Sequence, residues 1–203
     1  MVKRRRLLIA TSNPGKLREI RHVFADLDVE PATLDEFGDL PEAVEDGLTF
    51  EDNAKNKALH YAERTGLWTL ADDSGLEVDA LGRRPGVNSA RFAGAPQDTA
   101  VNNAKLIACL RDIPPERRTA RFCCAIAVAS DGRILATASG VIEGVIIDEP
   151  RGRNGFGYDP HFLLPELGRT TAELEPEHKN RISHRGQALW GIRPKLEALL
   201  RVV

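Results

Sequence analysis

The sequence predicts an α/β fold, a mixed central β-sheet flanked by helices, in a single domain spanning residues 1–203. Short apolar runs that end in turn residues alternate with segments whose apolar residues recur every three or four positions. Two long apolar runs joined by a short turn predict a hairpin, which makes the sheet mixed. A chain of this length buries about 70% of its unfolded surface, so its core needs no disulfide or metal to hold it together.

The first elements follow from local pattern. The run "LLIA" at residues 7–10 predicts a strand that stops at Thr-Ser-Asn, and helical spacing begins at Leu17. A second strand is expected in "VEPATL". A second helix is expected in "LTFEDNAKNKALHYAERTG", with Thr49 and Asp52 at capping-box spacing and Gly66 at its end.

The later elements continue the alternation. "LWTLA" predicts a third strand, which we expect to turn at the Asp-Asp-Ser-Gly of residues 72–75. A helix is expected at about residues 98–111, and two long strands at residues 119–129 and 133–147. The helical pattern from Ser183 onward contains a proline at position 194, which should kink or break it.

Composition excludes several classes of protein. With 42% hydrophobic and 29% charged residues and a net charge of −2, the chain has no general attraction to nucleic acid. The apolar run after "VKRRR" is too short for a signal peptide, and no apolar stretch could span a membrane. We therefore expect a cytoplasmic protein with neither nucleic-acid nor membrane partners. The cysteines at positions 109, 123 and 124 are expected to be buried thiols.

The turn "TSNPGK" at residues 11–16 suits an anion such as phosphate. It lies between a strand and a helix N-terminus, where N–H groups, small polar side chains and Lys16 supply donors. The same residues are also ordinary turn and capping residues. A Walker A loop is excluded, because Ala10 and Leu17 stand where it requires glycine and a hydroxyl residue.

Acidic residues suggest a metal. The adjacent Asp72 and Asp73 could provide a ligand for a hard cation such as Mg²⁺, although an Asx turn explains them equally well. Glu42, Glu45 and Asp46 could complete such a site or form a solvated loop. Paired histidines at zinc-ligand spacing are absent from the sequence.

Two further segments could contact a base. "RNGFGYDP" places an aromatic ring between glycines, which suits stacking but also a plain turn. "SHRGQAL" places His184 and Arg185 at a helix start, where they could donate hydrogen bonds or simply decorate the surface.

Taken in order, these segments, together with "ADDSGLEVDALGRRPGVNSARFAG", "TARFCCAIAV" and "KNRISHRGQAL", resemble the non-canonical purine nucleoside triphosphate pyrophosphatases, also called inosine triphosphate pyrophosphatases or the Ham1-like family. The resemblance covers nearly the whole chain. It implies two lobes around a nucleotide-binding cleft, a homodimer, and Mg²⁺-dependent hydrolysis of ITP, dITP and XTP to the monophosphate and pyrophosphate. Such an enzyme removes deaminated purines from the nucleotide pool.

The resemblance also implies roles for individual residues. Asp73 would be the proton acceptor and, with Glu45, a metal ligand, although another alignment favours Glu42. Phe156 would stack on the base and Asp159 would hydrogen-bond to it. The remaining substrate-binding residues would be Thr11, Ser12, Asn13, Pro14, Gly15, Lys16, Ser74, Gly157, Tyr158, Lys179, His184 and Arg185.

From donor chemistry we expect His184 and Arg185 to face O6 of a deaminated purine and to be left unpaired by adenine. Two rival functions remain open. A nucleotide-binding regulator would not need the acids, and a general phosphatase would not need residues that recognise the base.

Overall fold

The computed structural model describes residues 4–202. It contains two compact units. Within the described residues, the first unit comprises 4–73, 124–140 and 185–202, and the second comprises 74–123 and 141–184. Among residues 4–202, no helix is both long and apolar enough to cross a membrane.

Strands and helices alternate along the chain. In order they are β1 (Arg5–Ile9), α1 (Pro14–Val23), β2 (Val29–Thr33), α2 (Phe50–Thr65), β3 (Trp68–Val78), β4 (Arg84–Pro85), α3 (Thr99–Leu110), β5 (Thr119–Ser130), β6 (Arg133–Ile146), β7 (Phe162–Leu164), β8 (Arg169–Thr170), α4 (Pro176–Ile182) and α5 (His184–Val202).

The eight strands form one mixed sheet, as the sequence predicted. Their order is β2-β1-β3-β5-β6-β7-β8, and β4 pairs with β3. β1 runs parallel to β2 and β3, whereas β4, β7 and β8 pair antiparallel with their neighbours. The β5–β6 connection is the predicted Asp131-Gly132 turn, in which both residues have positive φ.

In the first unit, both faces of the sheet are covered. Leu7 and Ile9 of β1 pack in one apolar cluster with residues of α1 and α5, and Leu8 and Ala10 pack in another with residues of α2. Successive side chains of a strand point to opposite faces, so a continuous apolar run is what a strand buried on both faces requires.

The second unit has its own apolar cluster. It draws on the end of β3, the start of β5, helix α3 and strand β7, and its buried members include Leu76, Leu106, Phe122 and Phe162. The rings of Phe122 and Phe162 lie 4.4 Å apart, centroid to centroid. The two units are therefore stabilised by separate cores.

The prediction that the third strand turns at residues 72–75 is wrong. β3 continues through these residues to Val78. Leu76 and Val78 are completely buried, and β4 pairs with Glu77 and Val78, so packing and pairing extend the strand beyond the polar residues. The two aspartates are consequently strand residues.

Two other expectations also fail. The predicted break at Pro194 is wrong, because helix α5 continues across it with Ile192 and Leu196 buried on either side, whereas the predicted kink stays a prediction. Cys109 is exposed on α3, whereas Cys124 is buried and Cys123 is partly so. Helix α2, in contrast, begins after its Thr49 cap and ends at a left-handed Gly66, as predicted.

Candidate active site

Asn13 organises the turn that follows β1. Its Oδ1 accepts hydrogen bonds from the N–H groups of Gly15 (2.8 Å) and Lys16 (3.1 Å), and Pro14 takes the first helical position. Thr11 Oγ1 accepts the N–H of Asn13 at 3.2 Å. The cap thus occupies two helix N–H groups, so an anion at this turn would depend more on side chains, above all the Lys16 ammonium.

Asp72 lies at the centre of a buried ion-pair chain. Its Oδ2 is 3.0 Å from Lys16 Nζ and 3.2 Å from Arg185 Nε, and Arg185 Nη1 donates to Glu19 Oε2 at 2.6 Å. Burial favours the neutral acid, but Lys16 and Arg185 hold the pKa of Asp72 well below its usual range. Asp72 is therefore ionised at neutral pH, and its carboxylate positions the Lys16 ammonium and the Arg185 guanidinium.

Arg185 is not placed as a surface donor. Its side chain is only 2% exposed. Although burial opposes the charge, Asp72 and Glu19 raise the pKa of Arg185 above its ordinary value. The predicted contact between Arg185 and a purine O6 stays a prediction. The guanidinium forms ion pairs with the carboxylates of Glu19 and Asp72.

Asp73 has different surroundings from its neighbour. Asn53 Nδ2 donates to Asp73 Oδ2 at 2.9 Å, and Asn53 Oδ1 accepts the N–H of Gly47 at 2.8 Å. Burial raises the pKa of Asp73, although the hydrogen bond from Asn53 and the charges of Lys57 and Lys16 oppose it. A carboxylate with a raised pKa is the stronger base.

The course of β3 explains why the two aspartates differ. Adjacent residues of a strand point to opposite faces. Asp72 accordingly meets residues of α1 and α5, and Asp73 meets a residue of α2. One carboxylate is fixed by cations and the other is bound by a neutral amide, so the pair divides into an anchor and a candidate base.

Lys57 of α2 connects the acids. Its Nζ forms an ion pair with Glu45 and donates to the backbone oxygen of Asp72 at 3.3 Å. Burial lowers the pKa of Lys57, but Asp72, Glu45 and Asp73 together raise it above its ordinary value. Glu42, the alternative acid, is exposed.

The resemblance assigns Asp73 and Glu45 to a divalent cation, and residues 4–202 contain no ready-made group of three or more histidine, cysteine or acidic side chains that could hold a metal. The negative charges of Asp73 and Glu45 both raise the pKa of Lys57, so both carboxylates lie on the Lys57 side of the site. Mg²⁺ needs only one or two carboxylates from the protein and takes its other ligands from water and phosphate. The donor set therefore suits a cation that arrives with a phosphate substrate.

In the second unit, Asp159 organises an aromatic loop, residues 154–159. Its Oδ2 accepts the N–H of Phe156 (2.8 Å) and the ammonium of Lys179 (2.6 Å), and its Oδ1 accepts the hydroxyl of Thr171 (2.7 Å). Asp159 is 2% exposed. The predicted hydrogen bond between Asp159 and a base stays a prediction. The carboxylate already accepts hydrogen bonds from three groups of the protein.

The rest of the aromatic loop is fixed by backbone contacts. Tyr158 is buried and its hydroxyl donates to Ser89 O at 2.7 Å, while Asn103 Nδ2 donates to Gly157 O at 3.1 Å. Burial raises the pKa of Tyr158. The phenol is therefore a neutral structural donor, and Phe156 is the ring of this loop that is partly exposed.

The remaining predicted substrate-binding residues differ in their burial and in the rings they contact. His184 is 7% exposed and its ring stacks on Phe122, with centroids 4.9 Å apart and planes 17° apart. Lys179 Nζ lies 5.0 Å from the Phe156 ring centroid. Ser12 is exposed and Ser74 is half-buried.

Sequence reasoning missed four contacts that organise these residues, made by Asn53, Lys57, Glu19 and Thr171. Asn53 and Lys57 could have been found, because they lie four residues apart and thus share a side of α2. Glu19 and Thr171 gave no such signal. The partner of Glu19 is 166 residues away in sequence.

An α/β sheet with a Lys-bearing turn after the first strand, paired buried acids and an aromatic loop has the features of a nucleotide-hydrolysing enzyme. The comparisons with known proteins agree with this class. The family model described as Ham1 family matches residues 7–195, and the chain belongs to that family.

Named relatives are similar over most of their length. A dITP/XTP pyrophosphatase of Desulforamulus reducens is 52% identical over 184 residues, which cover 91% of this chain and 92% of the relative. One of Geobacter sulfurreducens is 53% identical with the same coverage. Among solved structures, a HAM1 protein from Coxiella burnetii has a TM-score of 0.85 and 42% identity, covering 98% of this chain and all of its own.

Proposed function

We propose that this protein hydrolyses the triphosphates of deaminated purines, dITP, ITP and XTP, to the monophosphate and pyrophosphate. The observation that carries the proposal is the place of Asp73, a buried carboxylate held by Asn53 Nδ2 at 2.9 Å and adjacent in sequence to Asp72, which pairs with Lys16. The relatives named dITP/XTP pyrophosphatase support the substrate class.

In this mechanism the first unit acts on the phosphates. Lys16 exchanges its contact with Asp72 for one with the triphosphate, and Thr11, Ser12 and Asn13 donate to phosphate oxygens. Asp73 takes a proton from the attacking water as the water oxygen bonds to phosphorus. The bond between the attacked phosphorus and the oxygen that bridges the α and β phosphorus atoms breaks. Its electron pair stays on that oxygen, which leaves with pyrophosphate if water attacks the α phosphorus and with the monophosphate if water attacks the β phosphorus.

Magnesium is part of the proposal. Asp73 and Glu45 would hold Mg²⁺, which supplies charge neutralisation on the phosphates and acidifies bound water. Lys57 contacts Glu45 and the backbone oxygen of Asp72, so it holds this side of the acid set in place before substrate arrives.

The second unit recognises the base. Phe156 stacks on the purine, with Lys179 near its ring and Asp159 holding its backbone. His184, stacked on Phe122, is the proposed donor to the base edge.

Product analysis tests the reaction. The protein should release pyrophosphate and the monophosphate from dITP and XTP much faster than from ATP or GTP, so that malachite-green signal appears only with added inorganic pyrophosphatase. Direct release of orthophosphate would instead identify a phosphatase, and binding without turnover would identify a regulator.

Chelation and one pair of variants test the metal. Excess EDTA should abolish turnover, and Mg²⁺ should restore it. Glu45→Gln should raise the Mg²⁺ concentration for half-maximal rate at least about tenfold, whereas Glu42→Gln, its exposed counterpart, should leave it unchanged. Full turnover in EDTA would remove magnesium from the proposal.

The resemblance also supports a cytoplasmic homodimer as part of this proposal. Light scattering coupled to size exclusion should give twice the chain mass of 22.3 kDa. A mass equal to one chain would refute the dimer and leave the chemistry untouched.

A further inference from the structure

The Thr171 hydroxyl donates a hydrogen bond to Asp159, the residue that holds the aromatic loop. It is 1% exposed, and its hydroxyl lies 2.7 Å from Asp159 Oδ1 and 3.2 Å from the Asp159 backbone oxygen. A buried carboxylate needs a hydrogen-bond donor on each oxygen, and the Thr171 hydroxyl is the donor described on Oδ1.

The other oxygen of the same carboxylate holds the loop. Asp159 Oδ2 accepts the Phe156 N–H at 2.8 Å and the Lys179 ammonium at 2.6 Å. A rotation of the carboxylate that followed loss of the Thr171 hydroxyl would move Oδ2 relative to both donors. The orientation of the Phe156 backbone therefore depends on a hydroxyl that is itself remote from the ring.

Close packing leaves the carboxylate little alternative space. Gly155 has a φ of +77°, and a Cβ there would lie 2.1 Å from Asp159 Oδ2 and 3.1 Å from Lys179 Nζ. The backbone of Gly155 thus packs directly against Oδ2, which also accepts hydrogen bonds from Phe156 and Lys179. Thr171 holds the other oxygen, Oδ1.

We propose that Thr171 is a positioning residue for base recognition: through Asp159 it sets the place of the Phe156 ring and the Lys179 ammonium. The inference rests on the proposed function, because it takes Phe156 as the surface on which the purine stacks. It assigns Thr171 no contact with substrate and no part in the chemical step.

The chain offers a matched control at the preceding position. Thr170 is also completely buried, but its hydroxyl donates to the backbone oxygen of Arg151 at 2.7 Å. Thr170→Val and Thr171→Val each remove one buried hydroxyl from adjacent residues with nearly the same change of shape. A general loss of stability would affect both variants, whereas the proposed role belongs to position 171 alone.

Steady-state kinetics with dITP measure the effect. Thr171→Val should raise KM about tenfold or more with kcat within about twofold of the parent, as expected for loss of a hydrogen bond to a charged group. Thr171→Ser, which retains the hydroxyl, should restore KM, and Thr170→Val should leave KM at the parent value. Circular dichroism checks that each variant is folded, and Thr171→Ala, which also removes the hydroxyl, replaces the valine variant if that variant does not fold.

A double-mutant cycle shows whether the effect passes through the ring. Once Phe156→Ala has removed the stacking surface, adding Thr171→Val should raise KM no further. Inhibition by inorganic tripolyphosphate, which has no base, should be equal in parent and Thr171→Val. Additive effects on KM, weakened tripolyphosphate inhibition, or a fall in kcat alone would each overturn the proposal. A parent protein that releases no pyrophosphate from dITP would instead refute the proposed function.

Discussion

The two units solve the same problem, holding a buried carboxylate, in different ways. Asp72 of the first unit is balanced by full charges from Lys16 and Arg185, which come from distant parts of the chain. Asp159 of the second unit is held by one ammonium, one hydroxyl and one backbone N–H. The difference teaches that ion pairs with two remote helices hold the first carboxylate, whereas one ion pair and hydrogen bonds from neighbouring loops hold the second.

The largest expected effect is on stability in the first unit. Arg185→Ala leaves the carboxylates of Asp72 and Glu19 without this partner in a buried place, and should lower the free energy of unfolding by about 3–5 kcal/mol. Urea unfolding followed by circular dichroism measures it.

Arg193 supplies the control, because it lies on the same helix and binds two carboxylates at the surface, Asp26 and Glu197. Arg193→Ala should cost about 1 kcal/mol or less. Equal losses for the two arginines would break the contrast between buried and exposed pairs. The ratio of kcat/KM for dITP to that for ATP separates the roles of Arg185, since only a contact with the base lowers the ratio.

The second effect is on the chemical step. Asp73→Asn keeps the shape of the side chain but removes its charge and basicity, so kcat for dITP should fall roughly 100-fold or more with folding retained. Thermal unfolding provides the control. A folded variant with parental kcat would transfer the role of base to Asp72 and would contradict the division between the two aspartates.

The third effect is on binding in the second unit. Phe156→Ala should raise KM for dITP about tenfold to 100-fold, because stacking on a base contributes about 1–3 kcal/mol, and should change kcat little. Phe92→Ala is the matched control, since Phe92 in the same unit also has a lysine ammonium, that of Lys105, near its ring at 4.7 Å. A rise in KM of equal size in both variants would indicate general loosening of the unit.

The smallest expected effect concerns Cys123 and Cys124, which lie on either side of one of the places where the chain passes from one unit to the other. Burial raises the pKa of Cys123 to about 11 and that of Cys124 to about 12, so about one Cys123 thiol in a thousand is ionised at pH 8. Iodoacetamide should therefore modify exposed Cys109 first, as mass spectrometry of the intact protein and its peptides will report. Modification of Cys123 or Cys124 at the rate of Cys109 would contradict the raised pKa values of these two thiols.

Local signals predicted much of the fold. Thr49 and Gly66 marked the ends of α2, and Asp131-Gly132 marked the hairpin, because caps and tight turns depend on neighbours in sequence. β3 was cut short because its continuation depends on pairing with β4 and on the burial of Leu76, which no window around the aspartates contains.

In the candidate site, too, local signals predicted some features and tertiary contacts determined the rest. The segments that carry it were identified from their residues and their order, but the partners within it were not. Nothing in "GRTTAEL" distinguishes Thr171, which contacts Asp159, from Thr170, which contacts Arg151. Contacts between remote residues are set by the tertiary structure, so the sequence could name Asp159 but not what holds it.

The ion pair between Asp72 and Arg185 has a consequence for synthesis. The ribosome adds Arg185 113 residues after Asp72, so all eight strands of the sheet have been synthesised before Arg185 is added. Until then the cations that act on Asp72 are Lys16 and Lys57, both already synthesised. Translation that stops before residue 185 therefore leaves a first unit without the Arg185 partner of Asp72 and without the apolar face of α5, and we expect such fragments to be cleaved faster by proteases than the full chain.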